Sequence, residues 1–398
     1  MGKPEIADRV TTAVRELAGE AEKLSRQIHA HPETAFHEFR AAEQLCAALD
    51  SDGFTVTSGL AGLPTAFRAE WGHGKPRIAY LLEYDALPGV GHGCGHNLIA
   101  AGGLTAARSL RRALEGERFA GTITVIGTPA EEGGGGKILE LDAGVFDDID
   151  AALMFHPADR TIPWRHSLAC AHLKISFRGR AAHAAKNPEE GRNALAAMVQ
   201  FFVAVDGLRQ HIGPHARLHG VITHGGDAPN VVPDLTEAEF LVRHRTVAEC
   251  RALQDRVQDC ARGAALATGT SVSFAEPTPL YAERKNNRAI ATRIAEHLAE
   301  LGTSVEPAST ANPAGSSDIG NVSQRLPTVH PYLQIAPRGT ASHSAAFRDA
   351  AVSDQAHTTM LTMATALAQT GADLLLDDEL LAIAREEFAV TATNDLAG

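Results

Sequence analysis

The chain has 398 residues, of which 44% are hydrophobic and 21% are charged, and its formal net charge is −12. This composition is typical of a globular protein, and the length predicts two or three domains. The negative charge argues against a nucleic acid or an anionic membrane surface as a partner. Five scattered cysteines, no signal-peptide pattern and no long apolar run predict a cytoplasmic protein without a transmembrane helix.

The first part of the chain is predicted to alternate helices and strands. Helices are expected at 5–29, 38–50, 98–114 and 137–142, with Asn97 as the N-cap of the third. Strands are expected at 54–57, 65–71, 77–82, 122–126 and 151–155, the last of them ended by His156 and Pro157. This alternation indicates a largely parallel sheet that is covered on both faces.

The pattern changes after residue 170. Strands at 173–177, 219–223, 237–245 and 271–274 and helices at 192–210 and 248–267 give the order β-α-β-β-α-β. This order is ferredoxin-like. A helix at 287–301, a strand at 332–335 and long helices then resume the first pattern. We therefore predict an α/β domain of residues 1–170 and 281–398, interrupted by an α+β domain of residues 171–280.

The segment 83–97, EYDALPGVGHGCGHN, lies between a predicted strand and a predicted helix. Ligands usually bind at such strand ends in α/β sheets. Cys94 and His96 are flanked by glycines, and thiolate and imidazole ligands suit a divalent metal such as zinc. A flexible turn with incidental polar residues is the alternative explanation.

A second candidate segment is TPAEEGGGG at 128–136, which also follows a predicted strand. In a turn, one of the adjacent Glu131 and Glu132 can bind a metal while the other accepts a proton. A solvated acidic turn explains the local pattern equally well. Because the carboxyl ends of parallel strands converge on one edge of a sheet, several ligand-type residues are expected to meet there. They are Cys94, His96, Glu132 and His156.

Other hydrolase and nucleotide-binding signatures are absent. Lys137 is followed by Ile138, so the glycine run is not a phosphate loop, and neither G-x-S-x-G nor H-E-x-x-H occurs. Cys94 as a covalent nucleophile, with His92 or His96 as its base, remains open. This interpretation is less attractive because it gives the paired glutamates no role.

Seven segments together resemble the M20 metallopeptidases and amidohydrolases, in particular the aminoacylase-like and aminobenzoyl-glutamate hydrolase-like branch. They occur in the family's order over more than three quarters of the chain. The segments are IHAHPETAFHE, YDALPGVGHGCGHN, PAEEGGGG, FRGRAAHAA, GGDAPNVVPD, GSSDIGNVS and SHSAAF.

The resemblance implies a centre of two divalent metal ions. Zinc is favoured by the soft thiolate, with manganese, cobalt or nickel as alternatives. Glu131 matches the family's general base, and Asp85 matches an aspartate that supports the metal ligands without binding metal. The matching ligands are Cys94, His96, Glu132, His156 and His343.

The resemblance also implies that residues 171–280 form a dimerisation domain, so a homodimer is expected. His183 resembles a histidine that reaches the partner subunit's active site and polarises the scissile carbonyl. Asn230 and Arg245, rather than Arg243, resemble groups that bind the substrate's carboxylate. Asn97 replaces the aspartate of many relatives, which removes one charge near the metals and alters a bond to the ligand shell or the metal preference.

The function predicted from these motifs is metal-dependent amide hydrolysis. The expected substrate is a small molecule: an N-acyl amino acid, an aminobenzoyl-glutamate-like amide or a dipeptide. The alternatives are a non-catalytic metal-binding or substrate-binding protein on the same scaffold and a cysteine-nucleophile amidase. The acyl group, the stereochemistry, the physiological metal and any assembly beyond a dimer are not encoded in a readable pattern.

Overall fold

A computed structural model describes residues 3–390 of the chain. The helices are α1 (Lys3–Ala30), α2 (Phe39–Ser51), α3 (His96–Ala113), α4 (Gly136–Asp142), α5 (Ala194–Arg209), α6 (Val247–Thr268), α7 (Arg288–Glu300), α8 (Ile319–Ser323), α9 (Ala345–Ala350), α10 (Asp354–Leu376) and α11 (Asp378–Val390). The strands are β1 (Thr55–Ser58), β2 (Phe67–His73), β3 (Arg77–Leu82), β4 (Gly121–Gly127), β5 (Ala151–Leu153), β6 (His156–Ala158), β7 (Arg165–Ser167), β8 (Ala169–Arg178), β9 (Arg217–His224), β10 (Leu235–His244), β11 (Ser271–Ala275), β12 (Ser309–Ala314), β13 (Thr328–Val329) and β14 (Tyr332–Gln334).

The chain divides into two compact units. The first unit consists of Met1–His166 and Arg284–Gly398, and the inserted unit is Ser167–Glu283. Within the range from residue 3 to residue 390, no helix combines the length and the apolar composition needed to cross a membrane.

A six-stranded sheet in the order β1-β2-β4-β3-β5-β13 is the centre of the first unit. The pairs β4/β3, β3/β5 and β5/β13 are parallel, whereas β1/β2 and β2/β4 are antiparallel. The prediction of an α/β fold with a mostly parallel sheet is confirmed. The antiparallel pairs lie together at one end of the sheet, where β1 is joined to β2 by a short connection that suits antiparallel neighbours.

Helices cover this sheet on both faces. Successive side chains of a strand point to opposite faces, and on β3 both sets are buried. Ile78, Tyr80 and Leu82 belong to a core cluster that includes residues of α1, α3 and α10. Ala79 and Leu81 belong to a second cluster, which includes residues of α8. The continuous apolar sequence of β3 reflects this burial from two sides.

The inserted unit contains an antiparallel four-stranded sheet in the order β11-β8-β10-β9. The chain order of its elements is the predicted β-α-β-β-α-β. Leu173, Ile175 and Phe177 of β8 are buried in a core cluster that includes residues of α5 and α6. Lys174 and Ser176 alternate with them and are more exposed. This two-residue alternation is expected of a sheet with helices on one face only.

Two local predictions were wrong. The N-cap of α3 is Gly95, with φ of 76°, and not Asn97, which lies inside the first turn. Glycine adopts this left-handed conformation without the steric cost that other residues incur. The strand predicted at 151–155 ends at Leu153, and His156 instead begins β6, which pairs in parallel with β14 in a separate two-stranded sheet.

The buried Asn97 side chain connects three helical elements. Its Nδ2 donates hydrogen bonds of 2.9 Å to Ser25 Oγ in α1 and of 2.9 Å to the Ala351 carbonyl oxygen, directly after α9. His357 Nε2 in α10 lies 3.1 Å from the same Ser25 Oγ. Both amide hydrogens of Asn97 are therefore used to pack helices, and an aspartate could not replace them because a carboxylate only accepts hydrogen bonds.

We expect Asn97→Asp to destabilise the first unit without changing its metal content. The new carboxylate would be buried against the Ala351 carbonyl oxygen, at a cost of about 2–4 kcal/mol. Thermal unfolding and metal analysis of the purified variant measure both effects. Ser25→Ala is the matched control: it keeps the bond to Ala351 and should cost about 1 kcal/mol. Equal destabilisation by the two changes, or loss of metal from Asn97→Asp, would contradict this account.

Candidate metal and catalytic site

The register of β3 and β4 places two chemically rich turns at one edge of the sheet. Leu82 and Gly127, the last residues of these parallel strands, are paired. Thr128 fixes the exit of β4, because its backbone N–H and its Oγ1 both donate to the Leu82 carbonyl oxygen, at 2.8 and 2.9 Å. Glu83 follows β3 directly, and Asp85 comes two residues later. Both residues therefore lie at the same edge of the sheet as Glu131 and Glu132.

The backbone of the glutamate turn is tightly constrained. Ala130 has φ of 59°, a left-handed conformation that is uncommon for residues other than glycine. A Cβ atom on Gly136 would lie 1.8 Å from the Pro129 carbonyl oxygen, so only glycine fits there. The Glu132 backbone N–H donates to Asp85 Oδ2 at 2.8 Å, which ties this turn to the 83–97 segment.

The structure brings the five predicted metal ligands together in two triads. Within each triad the candidate ligand atoms all lie within 4.8 Å of one another. Cys94 is common to both triads, so its sulfur is close both to two imidazoles and to a carboxylate and a third imidazole. The first triad is Cys94, His96 and His156, and the second is Cys94, Glu132 and His343.

Hydrogen bonds orient two of the three histidines. His96 Nδ1 lies 3.0 Å from Asp85 Oδ1, and His156 Nδ1 lies 2.6 Å from the Pro157 carbonyl oxygen. Both partners are acceptors, so whenever either imidazole is neutral its proton is on Nδ1 and its lone pair is on Nε2. This is the arrangement in which a carboxylate or a carbonyl fixes a metal-binding histidine.

Buried polar atoms at this edge fit a bound cation. Glu83 Oε2, His96 Nε2 and Glu132 Oε1 have no hydrogen-bond partner among the described residues. Their nearest charged neighbours are one another and His343: His96 Nε2 lies 3.4 Å from Glu83 Oε2, and Glu132 Oε1 lies 3.4 Å from His343 Nε2. Buried polar atoms normally make good hydrogen bonds, so these three are suited to a ligand. Their surroundings combine a thiol, imidazoles and carboxylates, which is the donor set of a zinc-type site.

The protonation equilibria of the site reflect burial and crowding. Burial raises the pKa of the Cys94 thiol well above its usual range. Burial and the neighbouring Glu132 carboxylate raise the pKa of Glu131 in the same way. Burial lowers the pKa of His156 to about 4, with a contribution from His96, so its imidazole is neutral, as a metal ligand must be. Burial opposes ionisation of Glu132, but His343 and His96 together lower its pKa to about 2.

His343 is the exposed member of the second triad. Its side chain is 55% exposed, and its Nε2 lies 3.4 Å from Glu132 Oε1. The backbone N–H of His343 donates to the Gly93 carbonyl oxygen at 3.0 Å, and Gly339 in the same loop donates to Asp159 Oδ2 at 2.9 Å. These two bonds hold the loop that carries His343. Because the His343 side chain is exposed, the second triad is open to solvent on one side.

Four further residues of this region were missed by sequence reasoning. Glu83 directly follows β3, and this position at the end of a strand could have identified it as a site residue. Lys137 directly follows the segment PAEEGGGG, and Asp318 lies in GSSDIGNVS. Their spacing in the sequence does not show that Lys137 Nζ contacts the carboxylates of Glu83 and Asp318. His330 is buried after β13, and its ring centroid lies 5.6 Å from that of His156.

The remaining predicted residues, His183, Asn230 and Arg245, belong to the inserted unit. The Ala184 backbone N–H donates to the Asn230 carbonyl oxygen at 3.1 Å, so the segments of His183 and Asn230 are neighbours. Both of these side chains are exposed. Arg245 directly follows β10, and its backbone N–H donates to His244 Nδ1 at 2.9 Å.

Comparison with solved structures shows the fold. An aminobenzoyl-glutamate utilization protein from Klebsiella pneumoniae has a TM-score of 0.71 and 22% identity, covering 92% of this chain and 98% of that chain. A Bacillus subtilis protein described as a dinuclear metal binding peptidase from the M20 family has a TM-score of 0.67 and 21% identity, covering 91% of this chain and 100% of that chain.

Sequence comparison shows the family. A Xaa-Arg dipeptidase of Mus musculus is 38% identical over 400 residues, covering 97% of this chain and 92% of the relative. One of the p-aminobenzoyl-glutamate hydrolase subunits of Escherichia coli (strain K12) is 34% identical over 439 residues, covering 92% of this chain and 91% of the relative. Residues 79–370 match the family profile described as Peptidase family M20/M25/M40. The chain therefore belongs to the M20 family of metal-dependent peptidases and is a hydrolase.

Proposed function

We propose that the chain hydrolyses the amide bond of a small dipeptide or N-acyl amino acid with the help of two divalent cations. The observation that supports a pair of cations is the position of Cys94 in both ligand triads. A thiolate shared by two triads can hold two cations close together, as two-metal hydrolases require. The dinuclear metal binding of the Bacillus subtilis relative is consistent with this proposal.

The chain's own donor atoms favour zinc. Cys94, His96 and His156 offer one sulfur and two nitrogens, and Glu132 and His343 add an oxygen and a nitrogen. Thiolate and imidazole suit zinc, whereas manganese, cobalt and nickel remain chemically acceptable alternatives. When bound, the cations would supply a water of lowered pKa and polarise the substrate carbonyl.

Glu131 is the proposed general base. It is 8% exposed and belongs to a group with His96 and Glu132, but it is in neither of the triads that contain Cys94. Its carboxylate can accept a proton from the attacking water and return it to the leaving amine. Asp85 has a positioning role, because it bonds both to the imidazole of His96 and to the backbone of Glu132.

The names of two related enzymes support a substrate class. The mouse relative is named a Xaa-Arg dipeptidase and the bacterial relative belongs to a p-aminobenzoyl-glutamate hydrolase. Both names describe an amide whose amine side is an amino acid, so we propose this class for the present chain. Asn230 and Arg245 would bind the carboxylate of that amino acid, with a bidentate pair from the guanidinium. His183 would polarise the carbonyl of substrate that is bound to a partner subunit.

The role of His183 requires a homodimer, and the inserted unit has a surface that suits one. Val199 and Val203 on α5 are 52% and 66% exposed, and Val221 and Ile222 on β9 are 63% and 43% exposed. β9 is also an edge strand of its sheet. Exposed apolar side chains beside an edge strand are a common feature of association surfaces.

A panel of substrates tests the proposed activity. We expect the zinc-loaded chain to cleave Xaa-Arg dipeptides, p-aminobenzoyl-glutamate or N-acyl amino acids, to lose this activity in EDTA, and to regain it with Zn²⁺. Activity that survives EDTA but is lost on thiol alkylation would instead identify a cysteine-nucleophile amidase. The absence of turnover at every metal loading would leave only a binding protein.

Glu131→Gln should separate catalysis from metal binding. The amide cannot accept the proton, so we expect kcat to fall by about 10²–10⁴ while zinc content is unchanged. Glu132→Gln is the matched control in the same turn and should lose zinc. Steady-state kinetics and metal analysis give the two readouts. Near-normal kcat in Glu131→Gln would remove it from the mechanism.

Val203→Asp should convert the dimer to a monomer, because it places a charge in the apolar surface of α5. Leu266→Asp on α6 is the control, since Leu266 is 86% exposed but lies on the other helix of the unit. Analytical ultracentrifugation measures the association state. A dimer that persists in Val203→Asp, or dissociation caused by Leu266→Asp alone, would refute this assignment of the surface.

A further inference from the structure

A third group of potential ligands lies beside the two triads that contain Cys94. Glu83, Glu131 and Asp318, here called the carboxylate triad, offer oxygens that lie within 4.8 Å of one another. All three side chains are buried. Glu83 Oε2 makes no hydrogen bond in the part of the chain that is described, and it lies 3.4 Å from His96 Nε2. Three carboxylates are a ligand set for a hard cation such as Mg²⁺ or Mn²⁺ rather than for zinc.

A protein cation already occupies this position. Lys137 is fully buried, and its Nζ lies 2.5 Å from Glu83 Oε1 and 2.7 Å from Asp318 Oδ1. The Lys137 backbone N–H also donates to Asp318 Oδ2, at 3.1 Å, so both oxygens of Asp318 are bonded to this one residue. A buried ammonium is stable only when it is paired in this way.

We propose that the Lys137 ammonium is the resident cation of the carboxylate triad and excludes a divalent metal from it. A divalent ion at the same carboxylates would be repelled by the ammonium over a few ångströms in a poorly screened interior. Lys137 is therefore a positioning residue that keeps a divalent cation out of the carboxylate triad.

This exclusion has a consequence for catalysis. A carboxylate that is coordinated to a metal has its lone pairs committed and is a weak proton acceptor. Filling the triad with an ammonium thus prevents Glu131 from coordinating a metal in this triad and leaves it available for proton transfer. This consequence rests on the base role proposed above for Glu131, whereas the exclusion of a divalent cation does not.

The test is Mg²⁺ uptake by the zinc-loaded protein. We expect Lys137→Met, which keeps an unbranched apolar side chain but removes the ammonium group, to bind about one more Mg²⁺ per chain than the unmodified protein. Lys137→Arg keeps the charge and should bind none. Lys137→Met combined with Glu83→Gln removes a carboxylate together with the ammonium and should bind Mg²⁺ at least about tenfold more weakly. Equilibrium dialysis with elemental analysis measures each value.

Kinetics give an independent readout. Added Mg²⁺ should lower the kcat of Lys137→Met by about 10²–10⁴, the usual contribution of a general base, and should leave the unmodified protein and Lys137→Arg unaffected. A merely structural role of Lys137 would lower activity equally with and without Mg²⁺.

The proposal remains testable if Lys137→Met folds poorly. In that case its thermal midpoint should rise with Mg²⁺, because a ligand that binds only the folded state stabilises it. No Mg²⁺ uptake and no midpoint shift in Lys137→Met would overturn the proposal, and so would Mg²⁺ uptake at the triad in the unmodified protein. If the unmodified protein is inactive but Mg²⁺ binds only to Lys137→Met, the proposed hydrolysis is refuted and the exclusion of a divalent cation by Lys137 is not.

Discussion

The parallel register of β4, β3 and β5 sets where the polar groups of the site leave the sheet. It ends the strands at one edge of the sheet, and Thr128 holds the exit of β4 to the last carbonyl of β3. The Glu83–Asp85 segment and the glutamate turn therefore start from fixed backbone positions. Because both faces of the sheet are covered by helices, the polar groups at this edge are buried and must be bonded to one another or to a cation.

Buried charge at this edge is balanced in two different ways. Where a thiol and imidazoles accompany carboxylates, the donor set suits exchangeable divalent metals. Where only carboxylates meet, the protein supplies Lys137. Asp85 bonds to His96 and to the Glu132 backbone, so the His96 imidazole and the glutamate turn are held in fixed positions relative to each other. Asn97, in the first turn of α3, bonds to Ser25 of α1 and to the Ala351 carbonyl oxygen. These bonds hold α3, which follows the 83–97 segment, against its neighbouring helices.

Part of this arrangement was predictable from the sequence. The apolar run of β3, the glycine-flanked Cys94 and His96, and the adjacent Glu131 and Glu132 are local patterns with a direct chemical meaning. The family resemblance added His343, whose local sequence is uninformative. The α/β class follows from the alternation of strands and helices, and it is confirmed by the sheet of the first unit.

The fold class and the kinds of ligand that this protein presents follow from local sequence, because hydrophobic periodicity and residue chemistry are local properties. Three other features follow only from the folded chain: Cys94 is shared by two triads, Lys137 fills a carboxylate triad, and Gly95 rather than Asn97 is the N-cap of α3. Those outcomes depend on strand register, on helix packing and on which buried atoms are within hydrogen-bonding distance. Segments far apart in the chain set these distances, so no local pattern encodes them.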